Sequence, residues 1–210
     1  MTQRTFIAVD VNDGVRGCLN DRCQTLRRHP GTIAWVQPKV YHVTLNFLGA
    51  LEPAQTAAVQ ARVAQVAAQA RPFDFRLCGL EAVPPKGRPR VVWANVIEPT
   101  GELAALQERL TAGFEGLGIP REDRVYVPHV TVARVKFTTA SKAIRADVES
   151  LAQEDFGSAQ AREVIVFTSD LTADGPVHTP AARATLGKIF GFLVAAPERI
   201  PYDPATSDQA

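Results

Sequence analysis

The sequence predicts an α+β fold built from two similar halves. Three observations carry that prediction. Runs of β-branched and alternating residues interleave with segments whose apolar residues recur every three or four positions. No run of about 18 apolar residues occurs anywhere, so no membrane-spanning helix is expected. The phrase His-Val-Thr followed by an aliphatic residue occurs twice, at His42–Leu45 and at His129–Val132, 87 residues apart. Each copy sits in a predicted strand that comes after a strand and a helix.

The elements follow in order. Residues 5–11, TFIAVDV, are β-branched and apolar and read as a buried first strand. Val15, Leu19, Cys23 and Leu26 give residues 13–28 a helical stripe, with Asp13 as N-cap and His29-Pro30-Gly31 as the exit. Residues 32–36 and 41–48 are strands, the second stopped by Gly49. Alanine and glutamine dominate a helix over 53–70, with Val59, Val63 and Val66 along one side. Residues 73–83 alternate as a half-buried strand. A basic turn, PPKGRPR at 84–90, joins it to a strand over 91–97. Leu103, Leu106, Leu110 and Phe114 mark a helix over 101–117, closed by Gly116 and Gly118. A strand over 125–135, a helix over 140–152, a strand over 162–171 and an extended segment over 175–187 complete the pattern. Residues 1–195 form a single domain. From 196 to 210, Pro197, Pro201 and Pro204 among polar residues predict a loosely ordered tail.

The chain of 210 residues is long enough to bury a core without staples. Its 46% hydrophobic and 21% charged content is that of a globular protein. A net charge of +1 excludes a strongly basic nucleic-acid coat, so any polyanion contact is local. Arginine outnumbers lysine 18 to 5, which suits phosphate recognition but follows as readily from genomic composition. Lys86, Arg88 and Arg90 in the 84–90 turn either meet backbone phosphates or simply solubilise the loop. The three cysteines, Cys18, Cys23 and Cys78, are odd in number and lack C-x-x-C spacing. Neither a disulfide framework nor a zinc cluster is indicated. Free thiols, and an N-terminal apolar run too short for a signal peptide, predict a cytoplasmic protein. Nothing requires assembly, and a monomer is expected.

Side chains alternate across a strand, so His42 and Thr44 share one face, as do His129 and Thr131. Val43, Leu45, Val130 and Val132 face the other side. Two such strands side by side would present two imidazoles and two hydroxyls to one cleft. That set suits phosphoryl transfer from a small ester. Imidazole titrates near 6.5, so one ring can act as base while its partner acts as acid. Threonine hydroxyls can bind the non-bridging oxygens. Arg134 lies five residues after His129 and falls on the wrong face of an ideal strand. It reaches the cleft only if the strand bends. No metal or cofactor is required, and two histidines without neighbouring Asp, Glu or Cys do not make a zinc site. His29, at a helix exit, reads as a solvated cap, and His178 in GPVHTP is left out of the set.

HVTL and HVTV resemble the paired H-x-T-x signatures of the two-histidine phosphoesterase superfamily. The wider phrases RTFIAVDV, YHVTLNFLG, RVVWANV, PHVTVARV and GPVHT are similar to those of the bacterial and archaeal RNA 2′,3′-cyclic phosphodiesterases, also called 2′–5′ RNA ligases. The resemblance covers roughly residues 4–190. It implies a bilobal fold of pseudo-twofold duplicated antiparallel sheets flanked by helices, with the active cleft between the lobes. By the same resemblance His42 is the proton donor, His129 the proton acceptor, and Thr44, Thr131 and Arg134 hold the phosphate. The implied activity is metal-independent hydrolysis of RNA 2′,3′-cyclic phosphate ends, or of small cyclic-phosphate nucleotides, to 2′-phosphates, with reversible 2′–5′ ligation. The chain departs from the family's pattern at Asn46 and Val127, where arginine is common, and at His178, where tyrosine is common. These departures bear on the grip on substrate. The alternative is a non-catalytic nucleotide- or RNA-binding module that retained the cleft.

Overall fold

The computed structural model describes residues 2–29, 32–172, 175–187 and 192–193, and the statements below concern those residues. The expected tail over 196–210 lies outside them. The strands are β1 (Gln3–Asp10), β2 (Thr32–Trp35), β3 (His42–Leu51), β4 (Phe73–Val83), β5 (Val91–Ile97), β6 (His129–Phe137), β7 (Asp155–Ala161), β8 (Glu163–Thr172), β9 (Gly175–Thr185) and β10 (Phe192–Leu193). The helices are α1 (Asp13–Arg22), α2 (Pro53–Gln69), α3 (Glu102–Gly113) and α4 (Ser141–Ser150). The α+β prediction holds. All pairings are antiparallel, and the strands form one curled sheet in the order β10-β9-β8-β1-β3-β6-β5-β4-β7, with β2 alongside β6.

The sheet has two halves. One runs β10-β9-β8-β1-β3 and the other β6-β5-β4-β7. They meet at a single residue pair, Val43 opposite Val130. The strands overlap only at their first residues and then run in opposite directions. β2 continues the line of β3 along β6, pairing Ala34 with Arg134 and Trp35 with Ala133. Helices cover the outer face. α1 packs on β7, α2 on β8 and β9, α4 on β4, and α2 also packs against α3.

The apolar stripes read from the sequence are the ones the core buries, except that in α2 Ala67 rather than Val66 joins Val59 and Val63. Val15, Leu19, Cys23 and Leu26 are all at most 2% exposed, as are Leu103, Leu106 and Leu110. Local chemistry sets the ends. Asn12, not Asp13, caps α1, its side chain accepting the Val15 N–H at 2.9 Å. Asp13 instead lies in the first turn, where the helix dipole favours a carboxylate. A capping box between Glu52 and Gln55 starts α2.

Several elements differ from the sequence reading. The helix expected over 13–28 is α-helical only to Arg22 and continues as a 3-10 segment, Cys23–Arg28. α3 ends at Gly113 rather than 117. The strand expected from 125 begins at His129, since Pro128 has no N–H to give a ladder. β7 has no counterpart among the expected strands. Its sequence, DFGSAQA, is mostly small or polar, and only Phe156, Ala159 and Ala161 turn inward. His29 is also not solvated. Its side chain is 8% exposed and its Nε2 meets the Asp147 carboxylate at 2.8 Å, tying the 3-10 segment to α4.

β4 contains a register shift between Leu77 and Leu80. Gly79 stands there at φ 79°, donating its N–H to Glu154 O at 2.8 Å. A Cβ at this position would lie 2.3 Å from Ala152 O. Gly79→Ala therefore combines left-handed backbone strain with a backbone clash and should cost at least about 2 kcal/mol. Urea unfolding would check this, and a variant within about 0.5 kcal/mol of wild type, the scatter of harmless surface changes, would contradict it.

Candidate active site

The two His-Val-Thr phrases form the seam between the halves. In an antiparallel pair centred on Val43 and Val130, extending the register by one residue sets His42 opposite Thr131 and Thr44 opposite His129. Period-two alternation puts all four on one face, while Val43 and Val130 are fully buried on the other. Directly opposed residues lie about 5 Å apart, so the four groups frame a space of phosphate size.

The two histidines are held alike. His42 Nδ1 lies 2.8 Å from Val40 O, and His129 Nδ1 lies 2.8 Å from Val127 O. A carbonyl can only accept, so each Nδ1 carries the proton and each Nε2 lone pair is left free. The turn before His42 is itself fixed by Arg16, which donates to Pro38 O at 3.0 Å and pairs with Asp10. The rings stack on different partners. His42 lies against Phe6 at 5.0 Å, and His129 against Trp93 at 4.2 Å. Trp93 is oriented by its Nε1–H, donated to Asn95 Oδ1 at 3.1 Å.

Arg134 does reach the cleft, and the backbone shows how. β5 pairs Trp93 with Thr131 but Val92 with Ala133, so Val132 is an extra, bulged residue. The bulge resets the alternation. Val132 and Ala133 are both buried, and Arg134 emerges on the face of His129 and Thr131. β3 contains the same bulge at Leu45, because β1 pairs Ala8 with Thr44 but Ile7 with Asn46. The first nine residues of β3 and the nine of β6 consequently share one burial pattern. The counterpart of Arg134 is Phe47, 56% exposed and 6.0 Å from Phe6. Asn46, by contrast, is 9% exposed and turned towards α3, where its Nδ2 donates to Thr111 Oγ1 at 2.7 Å. An arginine at 46 would point away from the cleft.

The structure adds a third imidazole. His178 of β9 pairs with Ser169 of β8, and its ring lies edge-on to His42 at 5.8 Å and to Phe6 at 4.9 Å. Strand alternation gives no sign of this, because β9 reaches the site through β8 and β1. The phrase GPVHT is the one local signal. Phe6, Ala8, Ile165 and Phe167 form a small apolar cluster beneath these rings.

Burial lowers the pKa of all three histidines. The effect is largest for His42, which is brought down to about 4, first by desolvation and then by the nearby His178, His129 and Arg134. His129 and His178 are lowered by desolvation and by the Arg134 guanidinium. The Arg134 guanidinium thus acts on all three rings. All three are neutral near pH 7 when the cleft is empty.

A family model described as the 2′-5′ RNA ligase superfamily matches residues 19–166. The RNA 2′,3′-cyclic phosphodiesterase of Archaeoglobus fulgidus is 34% identical over 175 residues, covering 83% of this chain and 96% of its own. That of Methanothermobacter thermautotrophicus is 31% identical over 179 residues, covering 85% and 96%. Among solved structures, TT0787 of Thermus thermophilus superimposes with a TM-score of 0.76 at 29% identity, over 89% of this chain and all of that one. Escherichia coli LigT complexed with 3′-AMP shares the fold at a TM-score of 0.71 and 20% identity, over 90% of this chain and all of that one.

The depressed pKa of His42 has a stability consequence. The unfolded chain protonates this ring near pH 6.5, whereas the folded protein does so only near 4. Between those values the unfolded state binds more protons, so stability falls as pH drops through the window, by up to about 1.4 kcal/mol per unit from this ring. His42→Gln removes that share. Urea unfolding from pH 7 to 4 should show wild type losing stability faster than the variant. Parallel pH dependences would contradict the burial of a neutral ring.

Proposed function

Because the chain belongs to the 2′-5′ RNA ligase superfamily, we propose that it hydrolyses terminal 2′,3′-cyclic phosphates of RNA, or of small nucleotides, to 2′-phosphates without a metal. The observation that carries this reading is the seam. Two imidazoles with free Nε2 atoms and two hydroxyls share one face around a phosphate-sized space, with a guanidinium above it.

In this reading water attacks phosphorus while His129 takes its proton. The P–O3′ bond breaks as His42 delivers a proton to O3′, leaving a 3′-hydroxyl and a 2′-phosphate. Thr44 and Thr131 hold non-bridging oxygens, and Arg134 offsets the charge that builds on them. A 5′-hydroxyl in place of the water gives a 2′–5′ linkage by the same steps, so one geometry serves hydrolysis and joining. The concentration of water favours hydrolysis unless an RNA end is well positioned. The protein works as a monomer.

The pair operates with one proton. In the empty cleft His129, the less depressed ring, takes it up first, whereas the productive form carries it on His42. The negative phosphodiester favours an imidazolium beside it, so a proton on His42 costs less once substrate is bound. The family resemblance, rather than the electrostatics of the empty site, supports His42 as donor.

His42→Ala and His129→Ala should each lower turnover of a cyclic-phosphate substrate about 10²-fold or more, and the double variant should be little worse than either. The donor must be protonated, so wild-type kcat/KM falls as pH rises past its pKa. The acceptor must be neutral, so the rate falls as pH drops past its own. His42→Ala should therefore lose the alkaline limb and His129→Ala the acidic limb. The opposite pattern would exchange the roles, and a folded His42→Ala protein at wild-type rate would overturn catalysis by this pair.

The bond that breaks is tested separately. Metal-free digestion of an oligonucleotide ending in a 2′,3′-cyclic phosphate, read by phosphorus NMR, should give only 2′-phosphate. Exclusive 3′-phosphate would mean that O2′ leaves and that the geometry above is wrong.

A further inference from the structure

The turn between β4 and β5 is held in an unusual way. Arg145, on the helix that follows β6, donates to Ala82 O at 3.0 Å, to Pro84 O at 2.6 Å, and twice to Gly87 O, at 3.1 and 2.8 Å. One guanidinium thus gathers three backbone carbonyls of the segment PPKGRPR and its approach. Pro84, Pro85 and Pro89 stiffen the same stretch, and Gly87 takes a φ of 76° at its tip. The acceptor oxygens are turned inward on Arg145. The cations Lys86, Arg88 and Arg90 are left exposed, and none has a carboxylate partner among the described residues.

The position of this loop matters. Val91, its first following residue, pairs with Arg134, and Val135 donates its N–H to Arg90 O at 2.8 Å. Arg134 and Lys136 are exposed on one face of β6, the face of His129. A row of positive groups, Arg134 and Lys136, therefore leaves the cleft along β6, and the clamped loop with its three exposed cations adjoins the far end of that strand through Val91 and Arg90. From His129 to Lys136 the strand runs roughly 20 Å at about 3.3 Å per residue, further than a mononucleotide extends.

We propose that this row is a binding surface for the ribose-phosphate backbone of single-stranded RNA leading to the reacting end, and that Arg145 is the positioning residue that presents it. The inference rests on the proposed function for its direction of travel, because the row begins at the site of the cyclic phosphate. The chemistry favours a polyanion with regularly spaced charges. A preformed loop loses little entropy on binding, and its cations have no internal partner to give up. In a chain of net charge +1 this grip is local, so it selects by length of RNA and not by general attraction.

The test uses a fluorescent single-stranded RNA decamer ending in a 3′-phosphate, which cannot turn over, with anisotropy read between 50 and 200 mM salt. Replacing Lys86, Arg88 and Arg90 by alanine should weaken decamer binding about tenfold or more at 50 mM. It should also flatten the dependence of log K on log salt by about 2, at about 0.7 for each phosphate no longer neutralised. Arg145→Ala keeps those cations but releases the loop and should weaken the decamer several-fold, and Arg145→Lys should not restore it. Binding of a mononucleotide 3′-phosphate should be unchanged in all three variants. Unchanged decamer affinity and salt slope in the triple variant, equal loss on decamer and mononucleotide, or displacement of the decamer by polyglutamate as readily as by RNA would each overturn the proposal. Turnover of a cyclic mononucleotide is followed in parallel. If wild type lacks turnover the proposed function fails, while the anisotropy still decides on this surface.

Discussion

The structure depends on one antiparallel contact, Val43 against Val130. Hydrogen-bonding two strands through the middle residue of a three-residue phrase leaves the outer residues of both phrases on one face. It also places each histidine across from the other strand's threonine. A slip of one residue in either strand would send its histidine and threonine into the helical face and bring its valine out. The register is held against that slip by burial, since both valines are fully buried. The hydrophobic term that closes the fold thus also sets which face carries the polar groups, and the Val40 and Val127 carbonyls then aim the two rings.

The bulges at Leu45 and Val132 are the second shared device. Each turns the strand over just after its threonine, so the residue five places beyond the histidine returns to the cleft. The halves use that position differently. One offers the Arg134 guanidinium, the other the Phe47 ring, and the apolar cluster of Phe6, Ala8, Ile165 and Phe167 lies on the second side only. A backbone with near-twofold symmetry thereby carries a site with a cationic and an aromatic wall. That asymmetry is what allows two equivalent histidines to take unequal roles, and it is already visible in the stronger depression of His42.

Much of this is legible in the sequence, for identifiable reasons. His42, Thr44, His129 and Thr131 can be read because alternation over three residues is too short to be disturbed by a bulge. The place of Arg134 cannot, since five residues carry it across one, and a bulge leaves no mark in VTVAR. β7 is hidden because Gly157 and Ser158 dilute its alternation. Its place is set by β4 and by the α1 helix resting on it. His178 is hidden because its neighbours in sequence have no part in the site. Only the stacking of β9 on β8, and of β8 on β1, brings its ring to His42. Local periodicity can be read directly, whereas contacts made through two intervening strands cannot.

The indole stacked on His129 gives the protein a built-in optical probe. The chain has two tryptophans. Trp93 lies 4.2 Å from the His129 ring, while Trp35 sits under the Arg27 guanidinium at 5.2 Å. An imidazolium quenches an adjacent excited indole far more than a neutral imidazole does. Trp93 emission therefore reports the charge on His129, and Trp35, away from the histidine pair under the Arg27 guanidinium, supplies a steady background. The protonation state of one member of the histidine pair can be followed in the unlabelled protein, in stopped-flow time, as an anion enters and leaves the cleft.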